Sequence, residues 1–329
     1  MTEAGLIYSA LASLLRTLWP GNQKSFDYLF TWDPPHSPLS TFPSIFLVLA
    51  SYLSIVLGLR AAINKGAVQP PHPNSRHLKT IFVIHNVALS VSSGLLLAAI
   101  MEEVVPILRR GGFFPAICAV SSYTPRLRAM YLINYYMKFW ELLDTVFLVV
   151  KRKPLGFLHP YHHTATAFLC FTQLHGHTSA QWFVICLNLA VHTAMYGYYA
   201  LMSLKIPCPW KRLVTTAQIV QFILDIGLIY FATYNYFVST YAPSLPHVGT
   251  CAGEESAAVF GCIIIASYLY LFVDFYQRTY SKKTPAKIQR AAIIAAEKTY
   301  RTDGLATPTD QEAVYNDLDQ KKAAAASKR

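Results

Sequence analysis

The sequence predicts an all-α membrane protein with seven transmembrane helices, of which spans 2–7 form a bundle around a buried polar chamber. Three observations support this prediction. Of the 329 residues, 53% are hydrophobic and only 14% are charged, whereas soluble domains carry about 25% charged residues. Seven apolar stretches approach the roughly 20 helical residues needed to cross a hydrocarbon core. Four of these stretches also contain polar side chains, which are costly at membrane depth.

The seven apolar stretches divide the chain into three parts. An N-terminal segment, 1–41, lacks the basic region and cleavage site of a signal peptide. A seven-span unit covers 42–280, and a basic tail, 281–329, has little apolar periodicity and is predicted to be disordered. The predicted spans are 42–61, 80–101, 126–150, 159–176, 181–203, 212–235 and 256–278.

The net charge of +11 comes from short Lys and Arg runs between the spans. This pattern is typical of the positive-inside rule and does not predict a nucleic-acid partner. The loops after spans 1, 3 and 5 and the start of the tail are basic, whereas the loop after span 2 has four arginines against the trend. The majority places the tail and the three loops in the cytosol and segment 1–41 on the other side. The basic residues of these three loops and of the start of the tail are Arg60, Lys65, Arg76, Lys79, Lys151, Arg152, Lys153, Lys205, Lys211, Arg212, Lys282, Lys283, Lys287 and Arg290.

Two of the six cysteines lie in loops on the predicted non-cytosolic side. Cys118 follows span 2, and Cys251 follows span 6. An oxidising compartment would permit a disulfide between them. Two free thiols are the alternative, because sequence does not fix the geometry that a disulfide needs.

Span 3 carries Lys138, Glu141 and Thr145 at i, i+3 and i+7, which is one face of a helix. A purely structural ion pair between Lys138 and Glu141 is one interpretation, and a functional site is the other. Asp144 lies on the flank of this face. A carboxylate there is expected to set the tautomer of a histidine or to hold an imidazolium.

Span 4 opens with His159, His162 and His163, which share one side of the first helical turns. Pro160 fits a first turn, where its missing N–H group is tolerated. A single buried histidine is usually a structural residue, but three within five positions at a membrane boundary indicate a site.

Spans 5 and 6 each add a polar stripe. Span 5 carries Asn188, His192, Met195 and Tyr199, with Tyr196 beside them. Span 6 carries Thr215, Gln218, Gln221 and Asp225. Buried glutamines can simply bridge helices, but the simplest arrangement points all four stripes inward, around a chamber that opens to the cytosol.

Two kinds of chemistry suit this histidine-rich chamber. A metal-dependent membrane oxidase or hydroxylase is the alternative reading, although the histidines are too few for the two irons of such enzymes. A single zinc held by three histidines also stays open. Without a metal, imidazole can accept an acyl group from a thioester or act as a general base. Amide and ammonium donors could then stabilise an enolate.

Four motifs occur in order on spans 3 to 6, and through them the chain resembles the ELO family of membrane-embedded very-long-chain fatty acid elongases. The resemblance covers about residues 40–280, and the stretch 221–227 is similar to the fungal branch. Pro160 departs from the threonine familiar in that branch. The motifs are Lys138-x-x-Glu141-x-x-Asp144-Thr145, His159-x-x-His162-His163, Asn188-x-x-x-His192-x-x-Met195-Tyr196-x-Tyr198-Tyr199 and Thr215-x-x-Gln218-x-x-Gln221.

The resemblance implies a 3-ketoacyl-CoA synthase of the endoplasmic reticulum membrane. It would condense a long-chain acyl-CoA with malonyl-CoA through an acyl-imidazole, without a metal or redox cofactor. The nucleophile is expected to be His162, and His159, His163 and His192 are expected to activate it, move protons or stabilise the enolate. The implied substrate-binding residues are Lys138, Glu141, Asp144, Asn188, Met195, Tyr196, Tyr199, Gln218 and Gln221.

The predicted topology then indicates where the substrates lie, and the resemblance implies which proteins act next. An acyl tunnel is expected to run from the chamber toward the non-cytosolic end. The CoA phosphates would meet Lys151, Arg152, Lys205 and Arg212 at the cytosolic mouth. Expected partners are membrane lipids and the ketoacyl-CoA reductase, dehydratase and enoyl-CoA reductase of the cycle, and a homodimer is left open.

Overall fold

The computed structural model describes residues 5–18, 21, 23–72 and 75–280 of the chain. Within these ranges the fold is all-helical, without β-strands, as predicted. The predicted tail, 281–329, lies outside the described residues. In chain order the helices are α1 Leu6–Leu18, α2 Gln23–Phe30, α3 Phe42–Asn64, α4 Arg76–Gly111, α5 Phe113–Cys118, α6 Pro125–Glu141, α7 Leu143–Val150, α8 Leu158–His175, α9 Gln181–Ser203, α10 Lys211–Tyr241 and α11 Glu255–Tyr280.

Five of the described helices, α3, α4, α9, α10 and α11, are long and apolar enough to cross a membrane. The chain is therefore a multi-pass membrane protein, and each of these helices contains one predicted span. The predicted spans 126–150 and 159–176 are not among the five. The first is divided into α6 and α7 at Leu142, which keeps helical backbone angles (φ −58°, ψ −25°). The second forms α8, which has only 18 residues and opens with the histidines.

The helix starts follow from local sequence. The Ser75 side chain accepts a hydrogen bond from the Leu78 N–H group, and Thr124 does the same for Leu127. Such caps satisfy N–H groups that have no partner within the first helical turn. Pro125 occupies the first turn of α6, where proline is favoured.

One end of the bundle is held together by a disulfide. Cys118 and Cys251, the pair singled out in the sequence, are joined, with their Cα atoms 4.0 Å apart. The Cys118 carbonyl also accepts a hydrogen bond from the Ala252 N–H group (2.8 Å), and the Ala252 carbonyl accepts one from Ser179 (3.1 Å). The loops after α5, α8 and α10 therefore lie together at one end, called here the disulfide end.

The opposite end brings together the loops after α3 and α7. Arg60 donates to the Leu155 carbonyl (3.1 Å), and Arg152 donates to Gln69 (3.4 Å). Since α6 begins near the disulfide end and α7 ends at this opposite end, α6 and α7 together run the length of the bundle. Helix α8 then returns to the disulfide end.

Helices α4 and α9 pack against each other along much of their length. Small residues permit the approach: a Cβ added at Gly94 would lie 3.5 Å from Thr193 Cγ2, and one added at Gly197 would lie 3.4 Å from Ser90 Oγ. Ser90 also donates to the Thr193 carbonyl (2.8 Å). Close backbone approach at small residues is a common way to join helices in a membrane.

Segment 1–41 contains two helices, α1 and α2, that the sequence did not lead us to expect. Glu102 of α4 accepts hydrogen bonds from the Ile7 and Tyr8 N–H groups at 3.1–3.3 Å, which caps α1. The neighbouring Glu103 lies 3.4 Å from Arg126. This pair offsets the charge of one arginine in the loop that departs from the positive-inside trend.

Candidate active site

The four predicted catalytic histidines line one cavity of about 810 Å³ near the end of the bundle opposite the disulfide. The rings of His159 and His163 are 4.4 Å apart between centroids, and those of His162 and His163 are 5.7 Å apart. His192 reaches the same cavity from α9. The lining residues are Phe82, Asn86, Asp144, Leu148, Leu158, His159, His162, His163, His192, Met195, Tyr199, Gln218, Phe272 and Phe275.

A buried charge network supports one wall of this cavity. Lys138 donates to Glu141 Oε1 at 2.8 Å and to Asn188 Oδ1 at 2.9 Å. His192 Nδ1 lies 3.2 Å from the same Glu141 oxygen. Lys138 and Glu141 are both almost completely buried. The predicted ion pair between Lys138 and Glu141 is therefore present, and it also orients Asn188 and His192.

Asp144 has partners on two other helices. His85 Nε2 of α4 lies 2.7 Å from Asp144 Oδ1, and the Tyr196 hydroxyl of α9 donates to Asp144 Oδ2 at 2.6 Å. The expectation that Asp144 meets a histidine is confirmed, although the histidine is His85. The sequence did not single out His85, because no stripe of polar residues at helical spacing marks its span.

Aromatic rings surround His162. Its ring centroid lies 4.7 Å from that of Tyr268, 5.7 Å from Phe272 and 6.2 Å from Phe222. The Nδ1 atom of His162 and the Nε2 atom of His159 are buried and have no hydrogen-bond partner among the described residues. A ring nitrogen in this position is available to react with a ligand, and the aromatic rings limit access of water.

The stripe on α10 divides into two parts. Gln218 lines the cavity and lies 3.4 Å from the sulfur of Met195. Gln221 is not among the lining residues; its Nε2 atom donates to Asp225 Oδ2 at 3.2 Å. One amide hydrogen of Gln221 is therefore engaged by a neighbouring carboxylate, and the role of Gln221 in substrate binding stays a prediction.

The basic residues expected at the mouth lie in different surroundings. Lys151 is buried, with its Nζ atom 3.4 Å from the centroid of the Phe82 ring. The ammonium of Lys151 therefore lies below the surface, and its contact with CoA phosphate stays a prediction. Arg212 is exposed and donates to the Tyr276 hydroxyl at 3.0 Å.

The donor atoms of this site do not form a metal-binding group. Within the described ranges, no group of three or more His, Cys, Asp or Glu side chains has an arrangement that could hold a metal ion. Glu141 and Asp144, the nearest carboxylates, are instead engaged by Lys138, His85 and Tyr196.

A second cavity, of about 870 Å³, lies near the disulfide end between α6, α8, α9, α10 and α11. Its lining is mainly apolar, and we call it the distal cavity. On α8, His163 lines the first cavity and Cys170 lines the distal one, which separates them by about 10 Å along the helix axis. The buried Tyr268 and Ala167 lie between these levels.

Known proteins resemble this chain over most of its length. The profile of the ELO, GNS1/SUR4 family matches residues 37–288. A Schizosaccharomyces pombe protein named "Putative fatty acid elongase 1" is 45% identical over 280 residues, which cover 84% of this chain and 80% of the relative. "Putative fatty acid elongase 2" of the same organism is 39% identical over 88% of this chain and 77% of the relative. "Long chain fatty acid elongase 2" of Caenorhabditis elegans is 31% identical over 78% of this chain and 91% of the relative.

The contact between His85 and Asp144 leads to a stability prediction. His85→Phe should lower the thermal unfolding midpoint of the detergent-solubilised protein, because it removes one of the two side chains that contact the largely buried Asp144 carboxylate, at a cost of about 1–3 kcal/mol. Adding Asp144→Asn should restore part of the loss by removing the uncompensated charge. The matched control is His77→Phe on the exposed face of α4. Equal midpoints for wild type and His85→Phe would contradict this assignment.

Proposed function

The chain belongs to the ELO, GNS1/SUR4 family of fatty acid elongases, and on that premise we propose that it is the condensing enzyme of the elongation cycle. It joins a long-chain acyl-CoA to malonyl-CoA and forms a 3-ketoacyl-CoA, CO2 and CoA. The observation that carries this proposal is the single cavity lined by all four histidines. Neighbouring imidazoles provide a nucleophile and bases at one place, which a two-step acyl transfer requires.

In the first half-reaction a ring nitrogen of His162 attacks the thioester carbonyl carbon. The C–S bond breaks, and the acyl carbon becomes bonded to the imidazole nitrogen. The proton of the imidazole passes through a neighbouring histidine to the departing CoA thiolate. We choose His162 because aromatic rings surround it, and because its buried Nδ1 atom, like one ring nitrogen each of His159 and His192, has no hydrogen-bond partner among the described residues.

In the second half-reaction malonyl-CoA loses CO2. The electron pair of the broken C–C bond remains as an enolate, which attacks the acyl carbon. The C–N bond to His162 then breaks, and the nitrogen regains its lone pair. The ring takes up one proton, which replaces the proton that left on the CoA thiol and restores the neutral imidazole. As proposed, the reaction uses no metal and no redox cofactor.

The other residues of the site have positioning and electrostatic roles in this proposal. Glu141 and Lys138 orient His192 and Asn188, whose polar groups can then stabilise the enolate. His159 and His163 lie within ring-contact distance of each other and form a path for protons. Asp144 is held from both sides and presents its remaining lone pairs to the cavity.

We further propose that the chain crosses the membrane seven times. Helix α8, and α6 together with α7, join the two ends of the bundle although they fall short of the length and apolarity of the other five. The disulfide suits an oxidising lumen. The endoplasmic reticulum, with the disulfide end in the lumen and the C-terminus in the cytosol, meets this condition. The three proposed units are 1–41, 42–280 and 281–329.

The proposed substrate path follows the two cavities. CoA lies at the cytosolic mouth near Arg212, and the acyl chain extends into the distal cavity. Burial of each methylene contributes about 0.8 kcal/mol, so the depth of the distal cavity selects chain length. The 3-ketoacyl product then passes to a reductase, a dehydratase and an enoyl reductase, and these enzymes are the proposed partners in the membrane.

The reaction is tested directly with labelled malonyl-CoA and a panel of acyl-CoAs. We expect the purified wild type to form labelled 3-ketoacyl-CoA, and His162→Ala to reduce the rate by about 10³-fold or more, because no other group replaces the nucleophile. His77→Ala on the exposed face of α4 is the control. Undiminished label incorporation by folded His162→Ala would refute the assigned nucleophile. No incorporation by wild type, with stoichiometric iron or zinc bound, would favour metal chemistry.

The distal cavity is tested with a matched pair of glycine substitutions. Gly261 lines this cavity, whereas an added Cβ at Gly227 meets nothing within 4 Å. We expect Gly261→Leu to shift the longest accepted acyl-CoA to a shorter chain by filling the cavity, and Gly227→Leu to leave the preference unchanged. Chain-length profiles from the same acyl-CoA panel measure this. An unchanged profile for folded Gly261→Leu would place the acyl chain elsewhere.

A further inference from the structure

The distal cavity is apolar overall, but two buried polar atoms that line it have no hydrogen-bond partner among the described residues. They are the hydroxyl of Tyr131 and the Oδ1 atom of Asn134. Both side chains are almost inaccessible, with 1% and 2% exposed. They are three residues apart on α6, and such residues share one helix face.

The other polar side chains of this lining that lie near the disulfide end are already paired. Gln173 donates to the Ala257 carbonyl at 2.8 Å and accepts from Thr178 at 2.9 Å. Gln181 donates to the carbonyls of Gln173 and Thr178, and Ser179 donates to that of Ala252. The unsatisfied atoms of Tyr131 and Asn134 are therefore not a general feature of the lining.

A buried polar atom without a partner costs roughly as much as a lost hydrogen bond. The Asn134 amide nitrogen is directed at the sulfur of Cys170 (3.7 Å), which is a weak acceptor. The Tyr131 hydroxyl lies beside the backbone N–H group of Trp182, which can only donate to it, so the hydroxyl's own O–H proton has no acceptor among the described residues. The O–H group of a ligand can accept from the tyrosine hydroxyl or donate to the amide oxygen.

The depth of this pair gives its place along a bound chain. Asn134 and Tyr131 lie about 10 and about 15 Å from the level of Glu141 along the α6 axis. An extended chain advances about 1.2 Å per bond. An acyl chain whose thioester lies at the histidines would therefore pass the pair about 8–12 bonds from its carbonyl.

We propose that Tyr131 and Asn134 form a hydroxyl-binding subsite, and that the preferred substrate class includes acyl-CoAs with a mid-chain hydroxyl group. This inference rests on the proposed elongase function. An ordered water could supply the same O–H group, in which case an unsubstituted chain would bind at least as well as a hydroxylated one.

The test compares three acyl-CoAs of equal length. One carries a hydroxyl about ten bonds from the thioester, one carries it adjacent to the thioester, and one is unsubstituted. Equilibrium binding and kcat/KM are measured for purified wild type, Tyr131→Phe, Asn134→Leu and the control Thr233→Val. Thr233 lines the same cavity, but its hydroxyl already contacts Cys262.

For wild type we expect the mid-chain hydroxyl to improve binding and kcat/KM over both other chains. Each of the two subsite variants should lower that ratio about five- to tenfold, as expected for one net hydrogen bond. Asn134→Leu should also improve binding of the unsubstituted chain, because it removes a polar atom without a partner. Thr233→Val should leave the ratio unchanged.

The proposal is overturned if wild type binds the hydroxylated and unsubstituted chains equally or prefers the unsubstituted one, since the pair then binds water. It is also overturned if folded Tyr131→Phe and Asn134→Leu keep the wild-type ratio. The binding measurement separates this result from failure of the proposed condensation. A hydroxyl preference in binding without product formation would refute the reaction and leave the subsite standing.

Discussion

The Glu141 carboxylate lies at membrane depth, and the contacts that stabilise its charge organise the bundle. The bare cost of moving such an ion out of water is several kcal/mol even after relaxation. Lys138 and His192 offset that cost from within 3.2 Å, and Asn188 takes a further hydrogen bond from Lys138. Because these groups come from α6 and α9, the two helices can meet only in the register that brings the charges together. The same contacts orient His192, one of the four histidines of the cavity.

This constraint separates the interior of the protein into two environments. At the level of Glu141 the polar side chains line a cavity where charge can develop during a reaction. About three helical turns further along α6 the lining is mainly apolar and suits a hydrocarbon chain. The disulfide and the loop hydrogen bonds tie together the far end of this apolar part. We therefore assign the reaction to the polar part of the interior and recognition of the acyl chain to the apolar part.

Much of the site was predictable because helical periodicity is a local property. Spacings of three and four residues identified the stripes on spans 3 to 6, and the four histidines do meet at one cavity. His85 was missed because nothing within its own helix marks it; its partner Asp144 lies on another helix. The partner of Gln221 was missed for a different reason. Asp225, one turn away on the same stripe, was treated as a fellow wall residue, although a carboxylate at i+4 is within reach of the amide.

The fold was predictable to a similar degree. Hydropathy locates helices that bury apolar residues, and it found α3, α4, α9, α10 and α11. The predicted spans 126–150 and 159–176 also coincide with α6 plus α7 and with α8, but the division at Leu142 was not predicted. Helices α1 and α2 were not predicted because they have only 13 and 8 residues, too few to cross a membrane, although α1 has the periodicity of an amphipathic helix. The contact between α1 and Glu102, almost a hundred residues away in sequence, leaves no periodic signal.

The central claim is that the acyl group is carried by His162 between the two half-reactions. Incubation of the purified protein with acyl-CoA alone, followed by peptide mass spectrometry, tests it most directly. Our account predicts one acyl adduct, on the His162 imidazole, which disappears when malonyl-CoA is added. An adduct on another residue, or product formation by an enzyme that never becomes acylated, would contradict it.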